Sequence, residues 1–148
     1  MDNTITITGN VASEVRFGSG TSEAGRAWQR AEFRLASTRR TRRADGSWGD
    51  DGTLFLTVRA WGALADGVRG SLEKGQPVLV SGRLHTDEWT DRNGEVHSRD
   101  VLEADAVGHD LCRGRARFAK NIPIPAPPVG AEPGPGGQAP AASPAPFP

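Results

Sequence analysis

Hydrophobic and polar residues alternate with a period of two along most of the chain before residue 110. Isoleucine alternates with threonine in 4–8, and the same alternation returns in 30–35, 54–61 and 78–85. A fifth run covers about 96–107, with Leu102, Ala104 and Ala106 on one face and a less regular phase. Side chains of a β-strand point to opposite faces in turn, so these runs predict five half-buried strands.

One segment between the third and fourth predicted strands has helical spacing instead. Leu64, Val68 and Leu72 recur every four residues, and Lys74-Gly75 before Pro77 is a stop signal, so we predict one short helix. The predicted connections are a loop at 18–25, a longer polar loop at 41–52, and a hairpin tip at 91–94, where Asn-Gly favours positive φ. Five strands with a helix between strands 3 and 4 match the plan of an all-β OB-fold barrel, which we predict; the pattern alone also fits other small barrels.

The C-terminal part of the chain differs in composition. Residues 122–148 are almost entirely Pro, Ala and Gly, with Glu132 as their one charged residue. Such a stretch cannot bury enough apolar surface to offset its ordering entropy. We therefore predict an OB-fold domain over 1–112, followed over 113–148 by a basic extension and a disordered tail.

Charge and special residues exclude several classes of protein. The chain of 148 residues has 18 basic and 18 acidic side chains, so it is formally neutral, but the arginines within 39–43 form a local basic cluster that can bind phosphate.

Cys112 is the one cysteine, which excludes an intrachain disulfide framework. The first residues do not resemble a signal peptide, and no apolar run is long enough to span a membrane, so we expect a cytoplasmic protein.

Catalytic chemistry is not indicated by any motif. His85, His97 and His109 have no metal-ligand spacing among themselves, and Asp87 and Glu88 are neighbours on a strand, so they point to opposite faces. Nucleophile elbows, phosphate-binding loops and dinucleotide fingerprints are missing from the sequence. We expect no enzyme activity, no metal and no cofactor.

The third predicted strand carries the most informative side chains. Its even positions, from Leu54 to Ala60, are apolar and are expected to face the core. Its odd positions are Phe55, Thr57, Arg59 and Trp61. Two aromatic rings flanking an arginine suit base stacking beside phosphate contacts. The same rings also suit packing under a loop or against another subunit, and both interpretations stay open.

The three other tryptophans of the chain are candidates for stacking or for packing. Trp89 is in phase with Arg83 near the hairpin tip and suits either stacking or a local covering role. Trp48, in the loop beside the arginine cluster, is a candidate clamp or an anchor for that loop, and Trp28 at the start of the second strand is expected to pack. The predicted stacking residues are Phe55, Trp61, Trp89 and Trp48. The predicted phosphate contacts are Arg34, Arg39, Arg40, Arg42, Arg43, Arg59 and Arg83.

Several segments, in order, resemble bacterial single-stranded DNA-binding proteins between Asn3 and Leu111. These segments are Ile5-Thr6-Ile7-Thr8-Gly9-Asn10-Val11, Glu14-Val15-Arg16-Phe17, Phe33-Arg34-Leu35-Ala36-Ser37, Phe55-Leu56 with Trp61, Lys74-Gly75, Val80-Ser81-Gly82-Arg83-Leu84 and Trp89-Thr90-Asp91-Arg92-Asn93-Gly94. Gly46-Ser47-Trp48 looks most like the loop of actinobacterial members.

This resemblance implies how the chain would function. It places Phe55, Trp61 and Trp89 at stacking positions and residues 39–43 in a strand-guiding loop, and it implies a homotetramer. The implied function is sequence-tolerant binding and protection of single-stranded DNA in replication, recombination and repair. The alternatives are an OB-fold that binds RNA or serves in primosome assembly, and a structural oligomerisation module.

Two features depart from the family pattern. A further stacking tryptophan of some members would fall near Thr41, which cannot stack. The chain ends in Pro146-Phe147-Pro148 without the acidic run that precedes Pro-Phe in family tails. We therefore expect weak or no recruitment of replication and repair enzymes, as in a paralogue beside a main protein that has the acidic tip.

Overall fold

The structure is a computed structural model that describes residues 3–121, which form six strands and one helix. The elements are β1 (Thr4–Val11), β2 (Arg16–Thr21), β3 (Ala27–Arg42), β4 (Trp48–Trp61), α1 (Ala63–Ser71), β5 (Pro77–Thr90) and β6 (Val96–His109). This arrangement confirms the predicted all-β OB-fold with its short helix. The predicted tail over 122–148 lies outside the described residues.

The sheet closes into a barrel because β1 pairs with two different strands. The strand order is β1-β5-β6-β4-β3-β2, and β1 also pairs with β3 through Val11 opposite Leu35. The β4–β6 pairing is parallel, and the other pairings are antiparallel. The chain divides into units of Met1–Gly114 and Arg115–Pro148, and the barrel lies in the first. The predicted domain boundary after Cys112 stays a prediction.

The inward face of the strands forms the core together with one side of α1. Burying each large aliphatic side chain contributes about 1.5–3 kcal/mol, so this cluster is the main source of stability. Its larger members are Val11, Phe33, Leu35, Leu56, Val58, Val68, Leu72, Val78, Val80 and Leu102. Val68 of the helix and Leu72 directly after it are two of the three residues whose spacing predicted the helix.

The first half of the predicted loop at 18–25 is part of a strand. Residues Arg16–Thr21 pair with β3, and the turn is confined to the next residues, where Gly25 has φ 80°. Alternation did not indicate this strand because Gly18 and Gly20 carry no side chains.

The predicted loop at 41–52 is also shorter than expected. Strands β3 and β4 continue beyond the barrel as an exposed ribbon of residues 38–54 and leave a tight turn at 43–47. A ribbon exposed on both faces has no apolar stripe, so a period of two does not appear. Leu54 was expected to face the core, but it is half exposed because it lies on this ribbon.

A β-bulge explains the irregular phase of the fifth predicted strand. The β5–β6 register shifts between Ser81 and Gly82, so that Ser81 lies opposite Ala106 and Gly82 opposite Ala104. Ala106 is therefore exposed, whereas Leu102 is buried. A Cβ atom at Gly82 would collide with the Glu103 carbonyl oxygen, so the strand needs glycine at this close approach.

Candidate nucleic-acid interface

One outer face of the barrel brings together side chains from four strands. Cross-strand registers place Arg30 opposite Trp61 and Glu32 opposite Arg59 on β3 and β4. We call this surface the outer face, and its members are Trp28, Arg30, Glu32, Arg34, Phe55, Arg59, Trp61, Arg83, His85, Asp87, Trp89, His97, Arg99 and Glu103.

Three aromatic rings of the outer face are half exposed, and each has a guanidinium group beside it. Phe55, Trp61 and Trp89 are 52%, 48% and 45% exposed. The pairs, with distances from guanidinium carbon to ring centroid, are Arg34–Phe55 at 5.7 Å, Arg30–Trp61 at 5.9 Å and Arg99–Trp89 at 5.4 Å. A ring can stack on a base while the adjacent cation meets the phosphate of the same nucleotide.

Sequence analysis missed Arg30 and Arg99 in these pairs. Arg30 lies on the second predicted strand and is directly opposite Trp61 only in the β3–β4 register. Arg99 reaches Trp89 through the β5–β6 register, in which it lies opposite Asp87. Strand pairing was the missing information, because neither arginine belongs to a basic cluster.

Arg59 occupies a buried ion network at the centre of the outer face. Its guanidinium contacts Glu32 at 3.3 Å, Glu103 at 3.1 Å and Asp87 at 3.3 Å. Arg99 joins the same network at 3.4 Å from Glu32 and 3.9 Å from Asp87. Arg59 is only 9% exposed. The side chain was expected on an exposed face and is buried instead, because three carboxylates occupy its donors. Its predicted phosphate contact stays a prediction.

The network also orients Trp61. Its indole Nε1 donates a hydrogen bond to Glu103 Oε2 at 3.0 Å, while Glu103 Oε1 contacts His85 and Arg59. Burial raises the pKa of Glu103, but hydrogen bonds from His85 and Trp61 and the charge of Arg59 outweigh it and hold the pKa below the ordinary 4.5. A charged carboxylate thus fixes the ring plane of a predicted stacking residue.

Trp89 is supported by the hairpin tip between β5 and β6. Its ring stacks on His97, with centroids 5.5 Å apart and an interplanar angle of 23°. His97 Nε2 lies 2.6 Å from Asp91 Oδ2, and Asp91 Oδ1 accepts hydrogen bonds from the backbone of Asn93 and Glu95. The hydrogen bond with His97 lowers the pKa of Asp91 more than desolvation raises it, and the backbone hydrogen bonds from Glu95 and Asn93 lower it further. The predicted tip therefore holds Trp89 from beneath.

The same tip forms a small cluster of groups able to bind a metal. The ligand atoms of Asp91, Glu95 and His97 lie within 4.8 Å of one another. Sequence analysis considered only the spacing among histidines and missed this set. The arrangement closes the turn through the hydrogen bonds of Asp91.

The β3–β4 ribbon carries the basic cluster and Trp48. Trp48 is 59% exposed and lies opposite Arg42. Arg39 lies 3.9 Å from Asp51, and Arg40 lies 3.7 Å from Asp50, in pairs whose side chains are mostly exposed. Within residues 3–121, Arg42 and Arg43 form no ion pair, and the Arg43 guanidinium lies across Gly49.

Two more predicted phosphate contacts lie on the barrel itself. Arg34 is exposed and donates to Thr57 Oγ1 at 3.2 Å beside Phe55. Thr57, which was expected on an exposed face, is buried beneath this layer of side chains. Arg83 is exposed on β5 opposite Glu103. The structure thus brings Arg34 and Arg83 onto the outer face, whereas the predicted phosphate contacts Arg39, Arg40, Arg42 and Arg43 lie on the ribbon or its turn.

Known proteins with similar sequences are single-stranded DNA-binding proteins. A protein of that name from Corynebacterium glutamicum is 41% identical over 118 residues, which cover 78% of this chain and 50% of that protein. Single-stranded DNA-binding protein 2 from Streptomyces coelicolor is 38% identical over 119 residues, which cover 78% of this chain and 57% of that protein. The chain therefore spans about half or somewhat more of these relatives.

Two solved structures have the same fold. The small single-stranded DNA-binding protein from Streptomyces coelicolor matches with a TM-score of 0.64 and 36% identity, covering 76% of this chain and 98% of that one. The second single-stranded DNA-binding protein from Mycobacterium smegmatis matches with a TM-score of 0.56 and 32% identity, covering 81% of this chain and 100% of that one. These matches confirm the expected similarity to actinobacterial proteins.

Within the part of the chain that the structure describes, the nine-residue α1 is far shorter than a membrane-crossing helix.

The family comparison covers the whole barrel. The profile of the single-strand binding protein family matches residues 2–110, which span all six strands. The chain therefore belongs to the single-strand binding protein family.

Proposed function

We propose that this protein binds single-stranded DNA with little sequence preference and protects it in replication, recombination and repair. The observation that carries this proposal is the set of three half-exposed rings, each paired with a guanidinium group, on one face of the barrel. Stacking on ring faces and charge contacts to the backbone tolerate any base, because every base has a π-face and every nucleotide a phosphate.

The side chains divide into two roles in this proposal. Phe55, Trp61 and Trp89 stack bases on the barrel, and Trp48 stacks a base on the ribbon. Arg34, Arg39, Arg40, Arg42, Arg43 and Arg83 bind phosphates, and Arg30 joins them beside Trp61. Arg99, whose guanidinium is paired with Glu32 and Asp87, flanks the ring of Trp89. Arg59 supports the face from within. Binding requires no catalytic step, metal or cofactor.

Assembly and cellular context follow from family membership. We propose a cytoplasmic, nucleoid-associated homotetramer in which one strand of DNA contacts several barrels. The composition of residues 113–148 supports a basic extension and a tail outside the DNA-binding domain of 1–112. The lack of acidic residues near Pro146-Phe147 supports a paralogue with weak or no recruitment of repair enzymes, because steering by opposite charge is missing.

The test compares Trp61→Ala with Trp61→Phe in binding to labelled oligo-dT, measured by fluorescence anisotropy. We expect Trp61→Ala to weaken binding by about 1–3 kcal/mol, the range typical of one base stacked on an aromatic ring of an OB fold. Trp61→Phe retains a ring but loses the hydrogen bond to Glu103, so it should lose clearly less affinity than Trp61→Ala. Both variants should unfold near the wild-type temperature, since Trp61 is half exposed.

Intrinsic tryptophan emission separates this proposal from the alternatives. Oligo-dT should quench the emission of the wild-type protein if bases stack on the rings. Saturating oligo-dT that leaves both the anisotropy and the emission unchanged would refute the proposal and favour an oligomer interface. Tighter binding of oligo-rU than of oligo-dT would favour an RNA-binding role.

A further inference from the structure

Trp28 lies on the outer face beside the proposed DNA contacts, but the proposed function gives it no role. In β3, Trp28 shares its face with Arg30 and Glu32, because residues two apart point to the same side. Arg30 is directly opposite Trp61. Trp28 therefore extends the row of aromatic side chains towards the β2 edge of the sheet.

The indole of Trp28 lies over glycine backbone. Gly20 of β2 is opposite Trp28, and a Cβ atom at Gly20 would stand 2.9 Å from Cζ2, 3.1 Å from Cε2 and 3.2 Å from Nε1 of the indole. A Cβ atom at Gly18 would stand 3.9 Å from Cζ3. The ring thus rests where β2 has no side chains, and Trp28 is still 39% exposed. A supported ring with an exposed surface suits stacking on a base.

The contact with Trp61 fixes the relation between the two rings. Their centroids are 6.4 Å apart, and their planes meet at 68°. Two hydrogen bonds hold the strand ends that carry them: Gln29 Nε2 donates to the Gly62 carbonyl at 2.8 Å, and the Gly62 amide donates to the Gln29 carbonyl at 3.0 Å. The pair is therefore preorganised before any ligand arrives.

A positive charge accompanies the two rings. The guanidinium of Arg30 lies 5.9 Å from the Trp61 centroid, and within residues 3–121 it forms no ion pair. The guanidinium can therefore contact the phosphate that links two nucleotides, one with its base on Trp61 and the next with its base on Trp28. The shallow depression between the rings is lined also by Ser19, Thr21 and Ala27, which are too small to block it.

We propose that Trp28 forms a further nucleotide subsite. An unpaired base stacks on its exposed ring surface, and the adjoining phosphate contacts Arg30. The DNA path then continues from Trp61 onto the β2–β3 edge. This subsite rests on the proposed function, since it extends the same bound strand.

The first test makes Trp28 the reporter. In a variant with Trp48→Phe, Trp61→Phe and Trp89→Phe, all tryptophan emission comes from Trp28, while aromatic rings remain at the other positions. Adding oligo-dT should quench this emission with the same midpoint as the rise in anisotropy of labelled DNA. Binding by anisotropy with unchanged emission would overturn the subsite.

The second test measures its effect on affinity. Trp28→Leu should bind oligo-dT about fivefold more weakly or worse, whereas Trp28→Phe should stay close to wild type. Equal affinity of Trp28→Leu and wild type would overturn the subsite, and so would equal losses in both variants, which would indicate a packing role. Failure of the wild-type protein to bind oligo-dT would refute the proposed function instead.

Discussion

Replacing Arg59 with Met should destabilise the barrel and change how its stability depends on pH. The substitution leaves Glu32, Glu103 and Asp87 without their shared cation, and side-chain exposures of 11%, 22% and 40% limit how far water can replace it. Removing one partner of a buried ion pair typically costs about 3–5 kcal/mol. We expect the lower end, about 3 kcal/mol, because Arg99 still contacts two of the carboxylates.

The stability difference between Arg59→Met and wild type should grow as the pH rises. In the wild type the pKa of Glu103 is lowered, so its contribution is complete above the ordinary value of 4.5 and is lost as the pH falls through the folded-state pKa. Without the charge of Arg59, burial should raise the pKa of Glu103 above its ordinary value, so the variant should lose stability as the pH rises through that pKa. Relative to wild type, Arg59→Met should therefore be less stable at pH 7 than at pH 5.

Urea unfolding at both pH values, followed by circular dichroism at fixed protein concentration, measures these differences. Arg40→Met is the matched control, since its pair with Asp50 is mostly exposed, and its stability should change by less than about 0.5 kcal/mol. A similarly small change for Arg59→Met, independent of pH, would refute the view that the network is a buried and coupled unit.

Two further changes probe the proposed DNA contacts. Glu103→Ala should weaken oligo-dT binding and shift the near-ultraviolet circular dichroism of Trp61, because the indole loses its hydrogen-bond acceptor. Glu103→Gln keeps an acceptor for the indole and should restore the wild-type signal. Identical spectra for the two variants would exclude the view that Glu103 positions Trp61. Asp50→Asn with Asp51→Asn frees the ribbon arginines from competing carboxylates, so oligo-dT binding at low salt should strengthen about two- to fivefold, with the gain disappearing at high salt. An unchanged affinity in anisotropy titrations at both salt concentrations would place the ribbon outside the DNA path.

The sequence predicted those elements that have one buried face. Alternation revealed the strands around Phe33, Leu56 and Val80 because the core requires every second side chain to be apolar. The four-residue spacing of Val68 and Leu72 indicated α1 because one side of a helix that packs on the core must also be apolar. The ribbon and β2 were missed, because exposed residues and glycines leave no periodic signal even where backbone pairing is regular.

The candidate site could be predicted as a set of side chains but not as a geometry. Phe55, Trp61 and Trp89 are half exposed on the face that the strand phase indicated, and their role in binding stays a prediction. Arg59 was misplaced because its burial depends on Glu32 and Glu103, which lie 27 and 44 residues away along the chain. Such contacts depend on the register between paired strands, and the pattern of neighbouring residues in the sequence does not indicate that register.

The ion network has a consequence for the route of a bound strand. At the centre of the outer face two guanidinium groups, of Arg59 and Arg99, face three carboxylates, so this centre repels phosphate. Exposed Arg30, Arg34 and Arg83 lie around it. The DNA backbone would then run along the perimeter with its bases turned inward onto the rings. We expect the negative charge of this centre to keep the sugar-phosphate chain on the perimeter, whatever bases it carries.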